Sequence, residues 1–318
     1  MRATGVTASA ASPAFGVSLG APFGGTSGVP ADAAPGSPMV AFQGEHGAYS
    51  EEAVAAWWGG AATPVPTREC ADVAAAVAGG AVAYGLLPVE NTLAGSVVAT
   101  YDALAAAGGV VVVGEVVLPI HHCVLAPAGA TLDAITSVES HPVALAQCRR
   151  FFADHPWIEA RAAYDTAGAA RAVAERGDAR AAAIAGRAAA RRFGLAVLAA
   201  DVEDRPDNQT RFLVLARAGD PLADAVLAAG APARTALLAV AENAPGALLR
   251  LLAPLAAAEL NLSKLESRPT GAPWTYRFFL EVEHGAGDAR LAGALAAVRD
   301  AARELRVLGT FARGGRDA

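Results

Sequence analysis

The residue pattern predicts an α/β chain of two lobes, followed by a smaller α+β unit of order βαββαβ. Three observations carry this expectation. Short apolar strands trade places with alanine-rich helices from residue 39 to residue 217, as in mainly parallel sheets. One apolar run, residues 110–126, is too long for an ordinary strand and holds Gly114 and Pro119, so it reads as a crossing between lobes. Past a low-complexity linker at residues 218–233, the order becomes strand, helix, strand, strand, helix, strand, a ferredoxin-like arrangement.

Each element has a local reason. "MVAFQG" is a short buried strand ending on Gly44, and "SEEAVAAWW" follows as a helix, with Ser50 as N-cap and Glu51 and Glu52 near its positive end. "ATPVPT" suits a short edge strand, and "CADVAAAVAGG" a helix closed by glycines. "AVAYGLLPVEN" returns as a strand, and "GSVVATYDALAAAGG" as a helix capped by Ser96. The crossing run comes next, divided by Gly114 and Pro119. The second lobe, about residues 119–194, repeats the alternation with "AITSVES", "PVALAQCRRFFADH", "IEARAAY", "TAGAARAVAERG", "AAAIAG" and "RAAARRFG". "AVLAADVED" and the strand "TRFLVLAR" close the region at residue 217. In the last unit, residues 234–313, Pro254 should kink its first helix or shorten its regular part.

Composition excludes several functions. The 318 residues are 54% hydrophobic and 18% charged, enough apolar chain for two or three cores. A formal charge of −6 with no lysine- or arginine-rich run argues against a nucleic-acid surface. No stretch reaches the ~18 unbroken apolar residues of a membrane helix. Cys70, Cys123 and Cys148 form neither a CxxC pair nor a zinc pattern, and read as buried thiols in a reducing, cytoplasmic setting. Residues 1–38, rich in Gly, Ala, Ser, Pro and Thr, lack the marks of a secretory signal and read as a disordered leader, with Met39 a natural start.

Polar clusters sit where strands hand over to helices, the positions at which open α/β sheets bind ligands. They are "GEHGAYS", "ENTLAGS", "ESHP" and "YDTAG". Ser50, Ser96, Ser140 and Asp165 read as N-caps, and free helix N–H groups beside them favour an anion. Adjacent His121 and His122 point to opposite faces of a strand and cannot share a metal; one lines the cleft while the other bonds internally. No metal site is expected. No GxGxxG opens a helix after a strand, no P-loop is present and no GxSxG elbow joins a strand to a helix, which leaves nucleotide cofactors and serine hydrolysis without support.

"VAFQGEHGAYSEEA", "YGLLPVENTLAGSV", "IHHCVLA", "ESHPVALAQC", "DTAGAARAVAE" and "NQTRFLVLAR", in that order, resemble the prephenate dehydratase family. "ENAPGALLRLL" and "LSKLESRP" are similar to the two regulatory motifs of an ACT domain. The likeness covers about residues 39–313. It departs at Thr92, where the family often has serine, and at Val143, commonly a polar position. Many bacterial relatives carry an N-terminal chorismate mutase; the short glycine-rich leader here implies a monofunctional chain.

The resemblance implies a periplasmic-binding-protein-like pair of lobes (39–217) with a ferredoxin-like ACT domain. It also implies a carbon–oxygen lyase that turns prephenate into phenylpyruvate in L-phenylalanine biosynthesis, without a cofactor. It makes Thr210 the proton donor to the departing hydroxyl. It gives Asn91, Thr92, Ser96, His122, Ser140, His141, Thr166, Gln209, Arg211 and Phe212 to substrate binding. Arg211 lies opposite Thr210 on the strand, either raising the local potential or pairing with Asp207 or Glu203. L-phenylalanine as feedback effector is assigned to Asn243, Pro245, Gly246, Ala247 and Leu248 with Glu266, Ser267, Arg268 and Pro269, across the interface of a homodimer or homotetramer. Two other readings stand beside this one: an arogenate dehydratase, and a non-catalytic two-lobed amino-acid sensor.

Overall fold

The computed structural model describes residues 36–222 and 230–314. Most of the expected leader and the centre of the expected linker lie outside them. Among the described residues there are three sheets, one for each expected unit.

The first lobe is built on β1 (Met39–Gln43), β2 (Thr63–Thr67), β3 (Tyr84–Asn91), the two-residue β4 (Gly95–Ser96), β5 (Val110–Pro119) and a late strand that returns to it. Helices α1 (Tyr49–Trp58), α2 (Cys70–Ala78) and α3 (Val98–Ala106) connect the early ones. The second lobe holds β6 (Cys123–Ala126), β7 (Ser137–Ser140), β8 (Glu159–Ala162), β9 (Ala181–Ala185) and β10 (Ala196–Ala199), with α4 (Pro142–Ala146), α5 (Arg149–Asp154), α6 (Thr166–Arg176) and α7 (Arg187–Phe193). The chain then re-enters the first sheet as β11 (Gln209–Arg217), giving the order β2-β1-β3-β11-β5 with β4 paired to β3. The second sheet runs β10-β6-β9-β7-β8, so it takes in β10, beyond the limit near residue 194 that the sequence suggested. Both sheets are mixed rather than mainly parallel: β11 lies antiparallel between β3 and β5, and β6 antiparallel to β9 and β10.

Strand period decides what β11 touches. Phe212, Val214 and Ala216 pack with Ala53 and Val54 of α1, while Leu213 and Leu215 pack with Val73, Val77 and Leu104 of α2 and α3. Gly114 does not divide the crossing run, as the sequence suggested. β5 passes through it, and the Trp57 ring occupies the space a Cβ would need. Pro119 does end β5, and the following residues cross to the second lobe. The two crossovers leave neighbouring strands and touch, with Ile120 N–H donating to Asn208 O at 2.9 Å.

The C-terminal unit comprises β12 (Pro232–Val240), α8 (Ala247–Ala257), β13 (Asn261–Pro269), β14 (Tyr276–Gly285), α9 (Ala289–Ala301) and β15 (Glu304–Ala312), in the sheet order β13-β14-β12-β15. α8 runs through Pro254 and ends three residues later. One sheet face buries Leu237, Leu280 and Val282 under α8 and α9. The other packs Leu238, Phe279, Leu308 and Phe311 against Tyr101, Leu104 and Val112 of the first lobe, so the C-terminal unit is seated directly on the lobe that carries β11. The backbones approach closely there: a Cβ on Gly309 would collide with Val112 O. Gly309→Ala should therefore lower stability by about 3 kcal/mol, the upper range for overpacking, read as a fall in thermal midpoint. An unchanged midpoint would mean that the two surfaces are not pressed together as described.

Candidate active site

Asn91 ends β3, and its side chain folds back on the next turn. Its Oδ1 accepts from the N–H groups of Leu93 (3.0 Å) and Ala94 (2.9 Å), which fixes the direction of the amide. The NH2 group consequently faces Thr210 Oγ1 (2.9 Å), Asn208 Oδ1 (2.8 Å) and Gln209 O (3.0 Å), sharing two protons among three acceptors. Gln147, from the second lobe, donates to Asn91 Oδ1 at 3.2 Å and accepts from Asn208 at 3.0 Å. Its Oε1 also lies 2.9 Å from His122 Nε2, and the Tyr49 hydroxyl lies 2.8 Å from His122 Nδ1.

This network stitches the lobes together around His122. Burial pulls the imidazole pKa below its ordinary value, more than the Gln147 bond and Glu203 raise it, so the ring is neutral at pH 7. With Gln147 Oε1 already an acceptor, the neutral tautomer that fits carries its proton on Nε2, and the single Tyr49 hydroxyl proton is shared between His122 Nδ1 and His121 O, each 2.8 Å away. His121 turns away and bonds Glu203 at 2.8 Å, the division of labour expected of the pair.

Between the lobes lies a cleft of about 480 Å³. Its walls carry Thr210, Asn91 and Phe212 from the first lobe and His141, Gln147 and Thr166 from the second. Among the described residues no lysine or arginine lines it, and its carboxylates are Glu69 and Asp165. Positive potential must come from dipoles instead. The N-termini of α1, beginning at Tyr49, and α6, beginning at Thr166, open onto the cleft and present N–H groups without intrahelical partners. Asp165 caps α6, its Oδ1 accepting from Gly168 N–H, while Oδ2 is buried without a protein partner. Burial raises this carboxyl above its ordinary pKa, partly offset by the Gly168 bond.

Thr210, Asn91, Ser96, His122, His141, Thr166 and Phe212 thus converge on the cleft. Four other sequence candidates do not. Ser140 is buried and donates to Ile184 O; His141, not Ser140, caps α4 by accepting from Val143 N–H. Thr92 is tied down, donating to Asp207 O and accepting from Gln209 N–H at 3.0 Å each, and Gln209 is exposed on the far side. Arg211 points away from the cleft and meets neither Asp207 nor Glu203; its partners are Glu281, Glu115 and Glu90. Ser96 lines the cleft but caps nothing: its hydroxyl donates to Glu266 (2.7 Å) and accepts from Lys264 (2.8 Å). α1 begins before Ser50, with Ala48 as its N-cap.

Tyr49, Gln147 and Asn208 were missed. Asn208 left a signal, since it precedes Thr210 by the strand period of two, yet it is completely buried and serves as scaffold. Gln147 follows α4 in a stretch that reads as one helix but breaks there, giving α4 and α5.

The regulatory candidates divide. Asn243, Pro245 and Gly246 form an exposed turn after β12, with Gly246 left-handed (φ 74°) as N-cap of α8, followed by Ala247 and Leu248. Glu266 and Arg268 of β13 face the first lobe, bonded to Ser96 and Asp102, while Ser267 and Pro269 are exposed on the strand's other face. Among the described residues no helix is long and apolar enough to cross a membrane.

A family profile described as prephenate dehydratase matches residues 40–220, and one described as ACT domain matches residues 235–300. Arogenate dehydratase 2 of Petunia hybrida is 37% identical over 287 residues, spanning 86% of this chain and 71% of that protein. Two solved structures superpose with a TM-score of 0.78 at 33% identity. One is a prephenate dehydratase from Arthrobacter aurescens in complex with L-Phe, covering 86% of this chain and 90% of that one. The other, GqqA, is described as a novel type of quorum-quenching acylase and covers 87% and 98%.

Proposed function

This chain belongs to the prephenate dehydratase family, and from that premise we propose that it converts prephenate to phenylpyruvate in the cleft between its lobes. The observation that carries the catalytic part is the hydrogen bonding of Thr210. Its Oγ1 accepts from Asn91, and among the described residues nothing accepts its own proton. The O–H is left to serve the cleft, and the amide stabilises the negative charge that grows on Oγ1 as the proton leaves.

In the reaction the ring carboxylate departs as CO2 and leaves its electron pair to the ring. The ring C–O bond breaks, and its oxygen takes the Thr210 proton and leaves as water. Solvent then returns a proton to Oγ1. A threonine hydroxyl is a weak acid, so transfer must accompany C–O cleavage, with help of ~10²–10⁴-fold. Aromatisation supplies the driving force, and fixed dipoles at the starts of α1 and α6 hold the anionic substrate without an ion pair that would oppose loss of CO2.

A second reading draws on Asp165. Its unpartnered Oδ2 offers a counter-charge to the ammonium of arogenate, the aminated analogue. Parallel assays with the full chain decide: ultraviolet absorbance of phenylpyruvate from prephenate, and phenylalanine from arogenate by chromatography. Turnover of prephenate at less than a tenth the efficiency of arogenate would replace the first reading with the second, and no turnover of either would sink both.

Regulation by L-phenylalanine is proposed at the turn of residues 243–248, whose N–H groups suit an amino-acid carboxylate, together with the exposed face of β13. β13 is an edge strand, which favours completion of the site by a second copy in a homodimer or homotetramer. Calorimetry with the intact protein should record phenylalanine binding accompanied by loss of turnover; its absence would remove the effector.

A further inference from the structure

We infer that Arg211 is a positioning residue through which the C-terminal domain sets the geometry of the Thr210–Asn91 pair; the inference rests on the assignment of Thr210 as proton donor. The register of β11 on β3 places Thr210 opposite Asn91 and Arg211 opposite Glu90. Because side chains alternate along a strand, the first pair faces the cleft and the second faces the C-terminal domain. The same two strands that carry the cleft pair therefore present a charged pair, one residue away, to the regulatory sheet.

That charged pair is gripped from the other side. The Arg211 guanidinium forms a two-point fork on Glu281 of β14, at 2.8 and 2.9 Å. It also bonds Glu115 of β5 at 3.0 Å, and Glu115, fully buried, is shared with Arg234 of β12. Glu90 takes Lys264 of β13 at 2.8 Å, and Lys264 reaches on to Ser96 in the cleft wall. The side chains of Arg211 and Glu281 are only 11% and 7% exposed. A buried ion pair of this kind is a poor device for stability, since desolvation consumes most of the Coulombic gain. It is a good device for register, because a planar fork fixes position and rotation together.

Register needs fixing at this point. The β11–β3 ladder slips between Arg211 and Phe212, where Val89 has no opposite number. The bulge lies on β3 and re-aims Glu90 and Asn91, while β11 keeps an unbroken register with β5 from Gln209 to Val214, so pairing alone does not fix how Asn91 meets Thr210. A cavity of about 720 Å³ beside the fork, lined by Arg211, Arg234 and Glu281, leaves the strand end room to shift when the fork is lost.

The test compares two isosteric variants of the full chain, Glu281→Gln and Glu283→Gln. Both lie on β14, but Glu283 pairs with Arg234 and does not touch Arg211. Glu281→Gln should lower kcat at least tenfold with KM within twofold, and should speed amide exchange in the peptide carrying residues 209–212 at least tenfold. Glu283→Gln should leave both within twofold. Wild-type kcat in Glu281→Gln, or an equal rise in exchange in the two variants, would overturn the inference. Should the wild-type chain fail to turn over prephenate, the proposed activity falls, and the exchange comparison alone decides whether Arg211 holds the strand.

Discussion

Thr210→Ala should fold like the wild type and yet turn over at least two orders of magnitude more slowly. The two halves of that expectation have separate causes. Asn91, which donates to Thr210 Oγ1, keeps Asn208 Oδ1 and Gln209 O as acceptors, so removing the hydroxyl strands no buried polar group. The residue is half-buried at the mouth of β11, and the core contacts of that strand begin at Phe212. Stability should therefore stay within about 0.5–1 kcal/mol, as for a substitution without a cavity or an orphaned group. Turnover depends on the lost proton, and general-acid assistance typically contributes ~10²–10⁴-fold. Thr210→Ser, which restores the hydroxyl, should recover more activity than alanine. Near-wild-type kcat in Thr210→Ala, with an unaltered thermal midpoint, would remove Thr210 from the chemistry.

Much of the fold was legible because it rests on short-range pattern. Strand–helix alternation, the glycine-terminated helices and the βαββαβ order each reflect periodicity over a few residues. Failures came where a distant partner overrides local preference. Nothing near Gly114 says that Trp57 will lie across it and keep β5 continuous. Nothing between Pro142 and His155 signals the break at Gln147, since that stretch contains no internal glycine or proline. The site divides along the same line. The polar clusters at strand ends and helix starts were legible from the open-sheet pattern, whereas Thr210, Asn91, His122, His141 and Thr166 were singled out by the family resemblance. Arg211 could not be paired correctly: Glu281 is 70 residues away on another sheet, whereas Asp207 and Glu203 are near only in sequence. Ser96 looked like a cap because serine before a helix usually is one, and here Glu266 and Lys264 of β13 claim its hydroxyl.

The placement of charge has a common logic. In the proposed mechanism, anion binding around the cleft falls to helix N–H groups and amides, which keep their orientation while the substrate changes charge. The full charges of Arg211, Arg234 and Lys264 sit one residue or one strand away, at the junction with the C-terminal sheet. A cationic side chain inside the cleft would pair with the carboxylate that must be lost and would stabilise the reactant more than the transition state. Separation of the two sets lets the regulatory domain grip the strands electrostatically without adding a cation to the reacting centre.

Asn91 is where the two sets of constraints meet, and its substitutions should have the second-largest effect. Asn91→Ala removes partners from Leu93 N–H, Ala94 N–H, Gln147 and Asn208 together. With ~1–3 kcal/mol for each buried group left unpaired and some of these groups reaching water, a loss of about 2–4 kcal/mol is expected. Turnover should fall ~10²–10³-fold, the usual cost of one preorganised donor to a developing oxyanion. Asn91→Asp separates these effects. Its carboxylate keeps an acceptor for Leu93 and Ala94, so the turn should survive, but the donor to Thr210 becomes a second acceptor. The threonine proton would then turn toward the carboxylate and away from the substrate, while Asn208 Oδ1 would face a second acceptor in place of its donor. Asn91→Asp should thus melt closer to the wild type than Asn91→Ala does, yet lose at least as much kcat. Retention of more than a tenth of wild-type turnover by Asn91→Asp would show that the amide is merely structural and that Oγ1 is stabilised by some other group.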